Sequence, residues 1–153
     1  MIREIYHFFR YGPKTPKRQK KLDLVEFLKA TSKELDDDGY AELRTSLVGD
    51  IEGIILEIGT GTGATFPYYA PQADVTAIEP DSELRAAAED AAKGAGTEIR
   101  VLPGVGEELP FEAETFDGVS GSLVLCRVTS PSKTLGGCPR MAIFPNLCVR
   151  RKL

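Results

Sequence analysis

The spacing of apolar and polar positions divides the chain into stretches of different period. At the start, Ile2, Ile5, Tyr6 and Phe9 recur at helical intervals until Gly12-Pro13 and Pro16 break the pattern. From about Lys20, the residues Leu24, Leu28 and Leu35 continue a helical face that the run Asp36-Asp37-Asp38-Gly39 ends. A further helix is expected from Tyr40 to Val48, with Tyr40, Leu43 and Leu47 on one side.

The period changes at Ile51. Ile54-Ile55-Leu56-Glu57-Ile58 is a short, β-branched, nearly continuous apolar run, the signature of a strand buried on both faces of a parallel sheet. It leads directly into Gly59-Thr60-Gly61-Thr62-Gly63-Ala64, where glycine permits a sharp strand-to-helix turn and close approach of a ligand to the backbone. A helix is expected to begin over Thr65 to Ala70, with Pro67 confined to its first turn. Val75-Thr76-Ala77-Ile78 reads as a second strand ending in Glu79-Pro80-Asp81, and alanine-rich Ser82 to Lys93 as a helix. Ile99 to Leu102 makes a third strand, and Phe116 to Ser120 with Leu123-Val124-Leu125 a fourth. This alternation predicts an α/β fold, a Rossmann-like doubly wound parallel sheet that binds ligands at the carboxyl ends of its strands.

Composition narrows the picture. A chain of 153 residues, 42% of them hydrophobic, supports one core rather than two ordinary domains. No stretch approaches the roughly 18 apolar residues of a membrane span, and no signal-peptide pattern opens the chain, so a soluble, cytoplasmic protein is expected. Cys126, Cys138 and Cys148 show no paired metal spacing and His7 is the only histidine, so neither a metal site nor a cysteine–histidine nucleophile is expected. The net charge of −4 conceals an asymmetry, because residues 1–21 hold seven basic residues against Glu4 alone. Residues 22–126 hold six basic and 22 acidic residues, and nothing after Asp117 is acidic. The basic start reads as a solvated linker, with no nucleic-acid partner expected.

The glycine turn alone is ambiguous. Gly59-x-Gly61-x-x-Ala64 also satisfies the dinucleotide fingerprint, and Glu79 suits either nucleotide class as an acceptor for ribose hydroxyls. Its company discriminates: Leu56 to Gly63, Ile78-Glu79-Pro80-Asp81, Gly106-Glu107-Glu108-Leu109-Pro110-Phe111, and Phe116-Asp117-Gly118-Val119 with Leu123-Val124-Leu125-Cys126. In these motifs and their order the sequence resembles the class I S-adenosylmethionine-dependent methyltransferases, particularly the small-molecule, ubiquinone-biosynthesis and methyltransferase-like branch. The resemblance implies S-adenosylmethionine as cofactor, S-adenosylhomocysteine as product and a small-molecule methyl acceptor. It places Glu57 near the methionine end, and Gly59, Thr60, Gly61 and Gly63 under the methionine and ribose portions. Glu79, followed by Pro80, falls at the ribose hydroxyls, Gly106 and Glu107 flank the adenine, and Leu123 lies beside the sulfonium. Relatives often carry an aspartate one residue before Gly106, where this chain has Val105. No residue is nominated as a general base.

The resemblance stops near residue 135. Where the family continues with a helix and three more strands, this chain reads Gly136-Gly137-Cys138-Pro139-Arg140-Met141 and onward to Leu153. Three segments follow: a basic, helical segment over 1–38, an S-adenosylmethionine-binding domain over 39–135 and an atypical basic tail over 136–153. The change of composition after Asp117 predicts a frameshifted or truncated reading frame. It also predicts an open sheet edge, uncovered at Val124 to Val128 and prone to self-association, with a short tail strand near Met141 to Phe144. A cofactor-binding but inactive fragment or regulatory module is the alternative to an active methyltransferase. A nicotinamide-dependent oxidoreductase is disfavoured by Glu57 and Leu109-Pro110-Phe111.

Overall fold

The computed structural model describes residues 23–112, 114–124, 129–130, 134, 142–144 and 147–151. The expected amino-terminal helix at Ile2 to Phe9, the basic linker, and Leu125 to Val128 lie outside them. Helix α1 (Leu24–Leu35) begins where Asp23 accepts a hydrogen bond from the Val25 amide at 3.0 Å, a side-chain cap for an otherwise unpaired donor. Asp36–Tyr40 forms a single wide turn in which Gly39, at φ 100°, ends the helical path, and α2 (Ala41–Val48) follows. Of the side expected to carry Tyr40, Leu43 and Leu47, Leu47 packs half-buried against the core. Arg44 and Val48 are its buried residues, whereas Leu43 remains 47% exposed, because Arg44 finds polar partners inside that Leu43 does not need.

Four strands, β1 (Gly53–Ile58), β2 (Ala73–Ile78), β3 (Glu98–Leu102) and β4 (Gly118–Ser122), pair in parallel in the order β3-β2-β1-β4. The chain order therefore reverses between β1 and β4, which opens a crevice at the carboxyl ends. Register Ile55↔Val75 sets Ile55, Val75 and Ala77 against Val48, Phe66 and Ala88 on one face. Leu56, Ile58, Ile78 and Val119 form the core of the other face, where Leu109, Phe111 and Phe116 cover them from an irregular crossover. α3 (Ser82–Ala92), capped by Asp81, contributes Leu84, Ala87 and Ala88 as its buried positions.

Two expectations need correction. Only a 3-10 turn, Phe66–Tyr68, occupies the place of the helix expected over Thr65 to Ala70. Pro67 restricts the residue before it and Pro71 forbids continuation, so the chain turns once and extends at Tyr69. The edge of β4 is not open: β6 (Leu147–Arg151) pairs with it antiparallel, and β5 (Ala142–Phe144) pairs with β6. A strand beside a hydrophobic core satisfies its backbone donors and acceptors best by taking a neighbour. Val124 is half-buried against the second core cluster, and β4 itself ends at Ser122, because Leu123 adopts φ 56°.

Ile55 is fully enclosed in the first cluster, so Ile55→Ala is expected to lower the unfolding free energy by about 2–5 kcal/mol. Denaturant unfolding checks this, and a loss well under about 1 kcal/mol would show that the cluster is not the core.

Candidate functional site

The cleft at the strand ends is built around the turn after β1. The amides of Gly59 and Thr60 both donate to the Ile78 carbonyl, at 2.9 and 3.2 Å, which lays the turn across the end of β2. Gly59 (φ 65°) has no room for a side chain, since a Cβ there would stand 2.2 Å from Val124 Cγ2. Gly61 (φ 59°) is the opposite case: a Cβ would meet nothing within 4 Å and would project from the turn into open space. A cleft of about 260 Å³ runs past this turn, lined by Glu57 to Thr62, Glu79, Pro80 and Leu84, Gly104 to Glu107, and Ser122 to Val124. Leu24, Leu28 and Ser32 of α1 and Arg44 of α2 complete its wall.

Every residue marked out in the sequence except Gly63 lines this cleft. Gly63 lies just behind, with Phe66 Cε2 only 2.6 Å from where its Cβ would be. Glu79, 6% exposed, accepts from the Gly61 amide through Oε2 at 2.9 Å and from the Asp81 amide through Oε1 at 3.1 Å. Each oxygen thereby retains acceptor capacity toward the cleft. Glu107 Oε1 accepts from the backbone amides of Thr129 at 2.6 Å and Ser130 at 3.3 Å. This ties the loop after β4 to the wall after β3. Gly106 is buried between Ile58 and Thr134. Leu123 occupies the left-handed region, which costs a branched side chain roughly 1–2 kcal/mol and marks a position held by its surroundings.

Beneath the turn lies a polar network that sequence reasoning missed apart from Glu57 and Thr60. Register Glu57↔Ser120 sets these residues side by side on one face of the sheet. The Tyr69 hydroxyl donates to Glu57 Oε2 at 2.7 Å and shares a 2.5 Å hydrogen bond with Ser120 Oγ, while Thr60 Oγ1 donates to Glu57 Oε1 at 3.0 Å. Arg44 Nε donates to Asp36 Oδ1 at 2.9 Å, and Nη1 donates to Thr65 Oγ1 at 3.3 Å and Ser122 Oγ at 3.2 Å. The Tyr68 hydroxyl donates to Asp36 Oδ2 at 3.0 Å. One signal was available in the sequence: Arg44 is the only basic residue between Lys33 and Arg85.

Burial holds the Glu57 carboxyl above its ordinary value of 4.5, against the opposing pull of the Tyr69 and Thr60 hydrogen bonds and the Arg44 charge. Burial and the adjacent Glu57 push Tyr69 well above the usual tyrosine range, so it stays a donor. Between 4.5 and the raised value the folded chain binds more protons than the unfolded one. The stability linked to Glu57 is therefore complete below 4.5 and is lost as pH rises through the folded value. Glu57→Gln cannot ionise, so the stability difference between variant and parent is expected to move in the variant's favour as pH rises from about 4.5. Urea unfolding over a pH series measures this; a difference that is flat or of opposite slope would show that burial does not dominate.

Comparison with known proteins agrees with this geometry. Residues 56–143 match the family described as methyltransferase domain. Phosphatidylethanolamine N-methyltransferase of Cereibacter sphaeroides is 32% identical over 91 residues, covering 58% of this chain and 45% of that protein. Thiol S-methyltransferase TMT1B of Rattus norvegicus is 33% identical over 98 residues, covering 59% of this chain and 40% of that protein. The chain thus spans less than half the length of these relatives. A SAM-dependent methyltransferase from Aquifex aeolicus shares the fold at TM-score 0.54 and 23% identity, over 72% of this chain and 65% of its own. A Methanococcus maripaludis protein assigned to the S-adenosylmethionine-dependent methyltransferases does so at TM-score 0.63 and 20% identity, over 80% and 60% of the two chains. With the family match extending over more than half of its residues and the sheet order of the class I fold in place, the chain belongs to the class I S-adenosylmethionine-dependent methyltransferase domain family.

Proposed function

We propose that the cleft binds S-adenosylmethionine and that the chain acts in methyl transfer to a small-molecule acceptor. The observation that carries this reading is Glu79: a nearly enclosed carboxylate at the end of β2, steadied by two backbone amides, with acceptor capacity left on both oxygens. That is the arrangement a vicinal pair of ribose hydroxyls requires. The residues present also fit the rest of the cofactor. The space beyond Gly61 leaves the backbone approachable, and Leu84, Val105 and Leu123 offer apolar contacts to an adenosine and a sulfonium side. Glu57 supplies negative charge for an ammonium group at the β1 and β4 side.

When bound, S-adenosylmethionine supplies a methyl group already activated by its sulfonium. The contribution of the chain is alignment and exclusion of water. Leu24 and Leu28 of α1 present an apolar wall above the turn, suited to keeping an incoming acceptor dry. Glu57 and Tyr69 are committed to each other, and neither is assigned as a base. The relatives act on an amine-bearing phospholipid and on thiols by their names, so nitrogen and sulfur acceptors are the first classes to test.

Calorimetric titration with S-adenosylhomocysteine is expected to show saturable binding that weakens roughly tenfold or more in a folded Glu79→Ala variant, with no binding of NADH. A folded chain that binds no S-adenosylhomocysteine would sink the reading. Binding without transfer to any amine or thiol acceptor would favour a cofactor-binding module.

A further inference from the structure

Glu107 holds two distant segments together. It stands in a tight turn on the wall that follows β3, closed by the Glu108 amide on the Val105 carbonyl at 3.3 Å. From there its Oε1 accepts from the consecutive amides of Thr129 and Ser130, which lie 22 and 23 residues further along the chain. The Ser130 carbonyl in turn accepts from the Thr134 amide at 3.1 Å, the spacing of a helical turn. Amides at the start of such a turn lack partners within it, and the Glu107 carboxylate supplies one from outside. Thr134, 2% exposed, packs on the same wall: a Cβ at Gly106 would stand 2.8 Å from Thr134 Cγ2 and 2.9 Å from Ile58 Cγ2. One polar and one steric contact thus dock the segment after β4 onto the wall after β3.

The docked segment is itself part of the cleft. Ser122, Leu123 and Val124 line it, and Thr129 lines it as well. Leu123, between them, stands at φ 56°, a conformation that a leucine keeps only where its flanks are held. One flank is β4, paired with β1. The other is held where Glu107 takes the two amides.

We propose that Glu107 is a positioning residue, which acts on the bound ligand through the segment after β4 and not by reading the nucleobase. The inference rests on the cofactor reading of the cleft. A carboxylate accepting from backbone amides makes charge-assisted bonds, roughly twice as strong as neutral ones, so its removal releases the segment and with it the placing of Leu123 and Thr129. The loss then falls on every ligand that uses this wall, whatever substituent its base carries.

The test compares the unmodified chain with Glu107→Ala and Glu107→Gln, thermal melting establishing which variants fold. Amide hydrogen exchange at Thr129 and Ser130 is read without ligand. Calorimetry then gives affinities for S-adenosylhomocysteine and for its 6-deamino analogue, which lacks only the exocyclic amino group of the base. In Glu107→Ala, exchange at both amides is expected to quicken about tenfold or more, and both ligands to weaken by one common factor of about 3 to 10. Glu107→Gln keeps an oxygen that accepts from the amides but loses the charge, so it should fall between. Unchanged exchange in a folded Glu107→Ala overturns the proposal, as do unchanged affinities. A loss confined to S-adenosylhomocysteine also overturns it, since Glu107 would then meet the amino group itself. Where Glu107→Ala does not fold, Glu107→Gln decides by the same readings. Where neither folds, the unmodified chain decides: Thr129 and Ser130 amides that exchange as in an unstructured chain overturn the proposal, and protection of both by about tenfold or more upholds it. Absence of S-adenosylhomocysteine binding by the unmodified, folded chain overturns the cofactor reading and this inference with it, whatever the exchange rates.

Discussion

The cleft depends on a single backbone carbonyl. Ile78 O accepts from both Gly59 and Thr60, so the chain leaving β1 is bent across the end of β2 instead of running on as strand. Once that crossing is made, the Gly61 amide faces the next residue of β2's path, Glu79, and binds it. The same bend turns Thr60 back over Glu57. A glycine at position 59 is the condition for it, because Val124 fills the space a side chain would need. One turn thus couples three strands, β1 through its own end, β2 through Ile78 and Glu79, and β4 through the residue that follows Leu123.

Burying charge this deeply costs several kcal/mol per group unless each is partnered. The chain meets that cost with short, local partners. Glu57 takes two hydroxyls, Glu79 takes two amides, and Arg44 takes one carboxylate and two hydroxyls. Such sets contribute less to net stability than an apolar core of the same volume, and what they add is orientation. The groups facing the cleft are held in place before any ligand arrives, which lowers the ordering cost of binding. Two of the anchors, Asp36 and Tyr68, stand outside the strands, so the helical segment before β1 is part of the site's geometry rather than an appendage to it.

The sheet was legible in the sequence because buried parallel strands are nearly continuous apolar runs. Ile54 to Ile58, Val75 to Ile78 and Ile99 to Leu102 each fall within an observed strand. The cleft residues were legible through the resemblance that the four motifs carry together, since the glycine turn and Glu79 by themselves suit either nucleotide class. The burial of Arg44 was not. Periodicity groups Tyr40, Leu43 and Leu47 on one side of α2, whereas Arg44 is drawn in by Asp36, Thr65 and Ser122, which lie 8, 21 and 78 residues away. The covered edge of β4 escaped for the same reason, since a composition shift describes the tail's residues and says nothing of which strand it will pair with.

The failure of the helix expected after the glycine turn is instructive, because the site needs that failure. On a regular helix, Tyr68 and Tyr69 would project about 100° apart around one axis. Pro67 allows only a 3-10 turn, and Tyr69 leaves it extended, at φ −68° and ψ 145°. The two neighbouring hydroxyls then part company: Tyr68 reaches Asp36, the counterion of Arg44, and Tyr69 reaches Glu57 under the turn. A helix former in place of Pro67 would improve local propensity while pulling one tyrosine from its partner and leaving a buried carboxylate short of a donor. Local preference and the polar network conflict at this point, and the structure resolves the conflict in favour of the network.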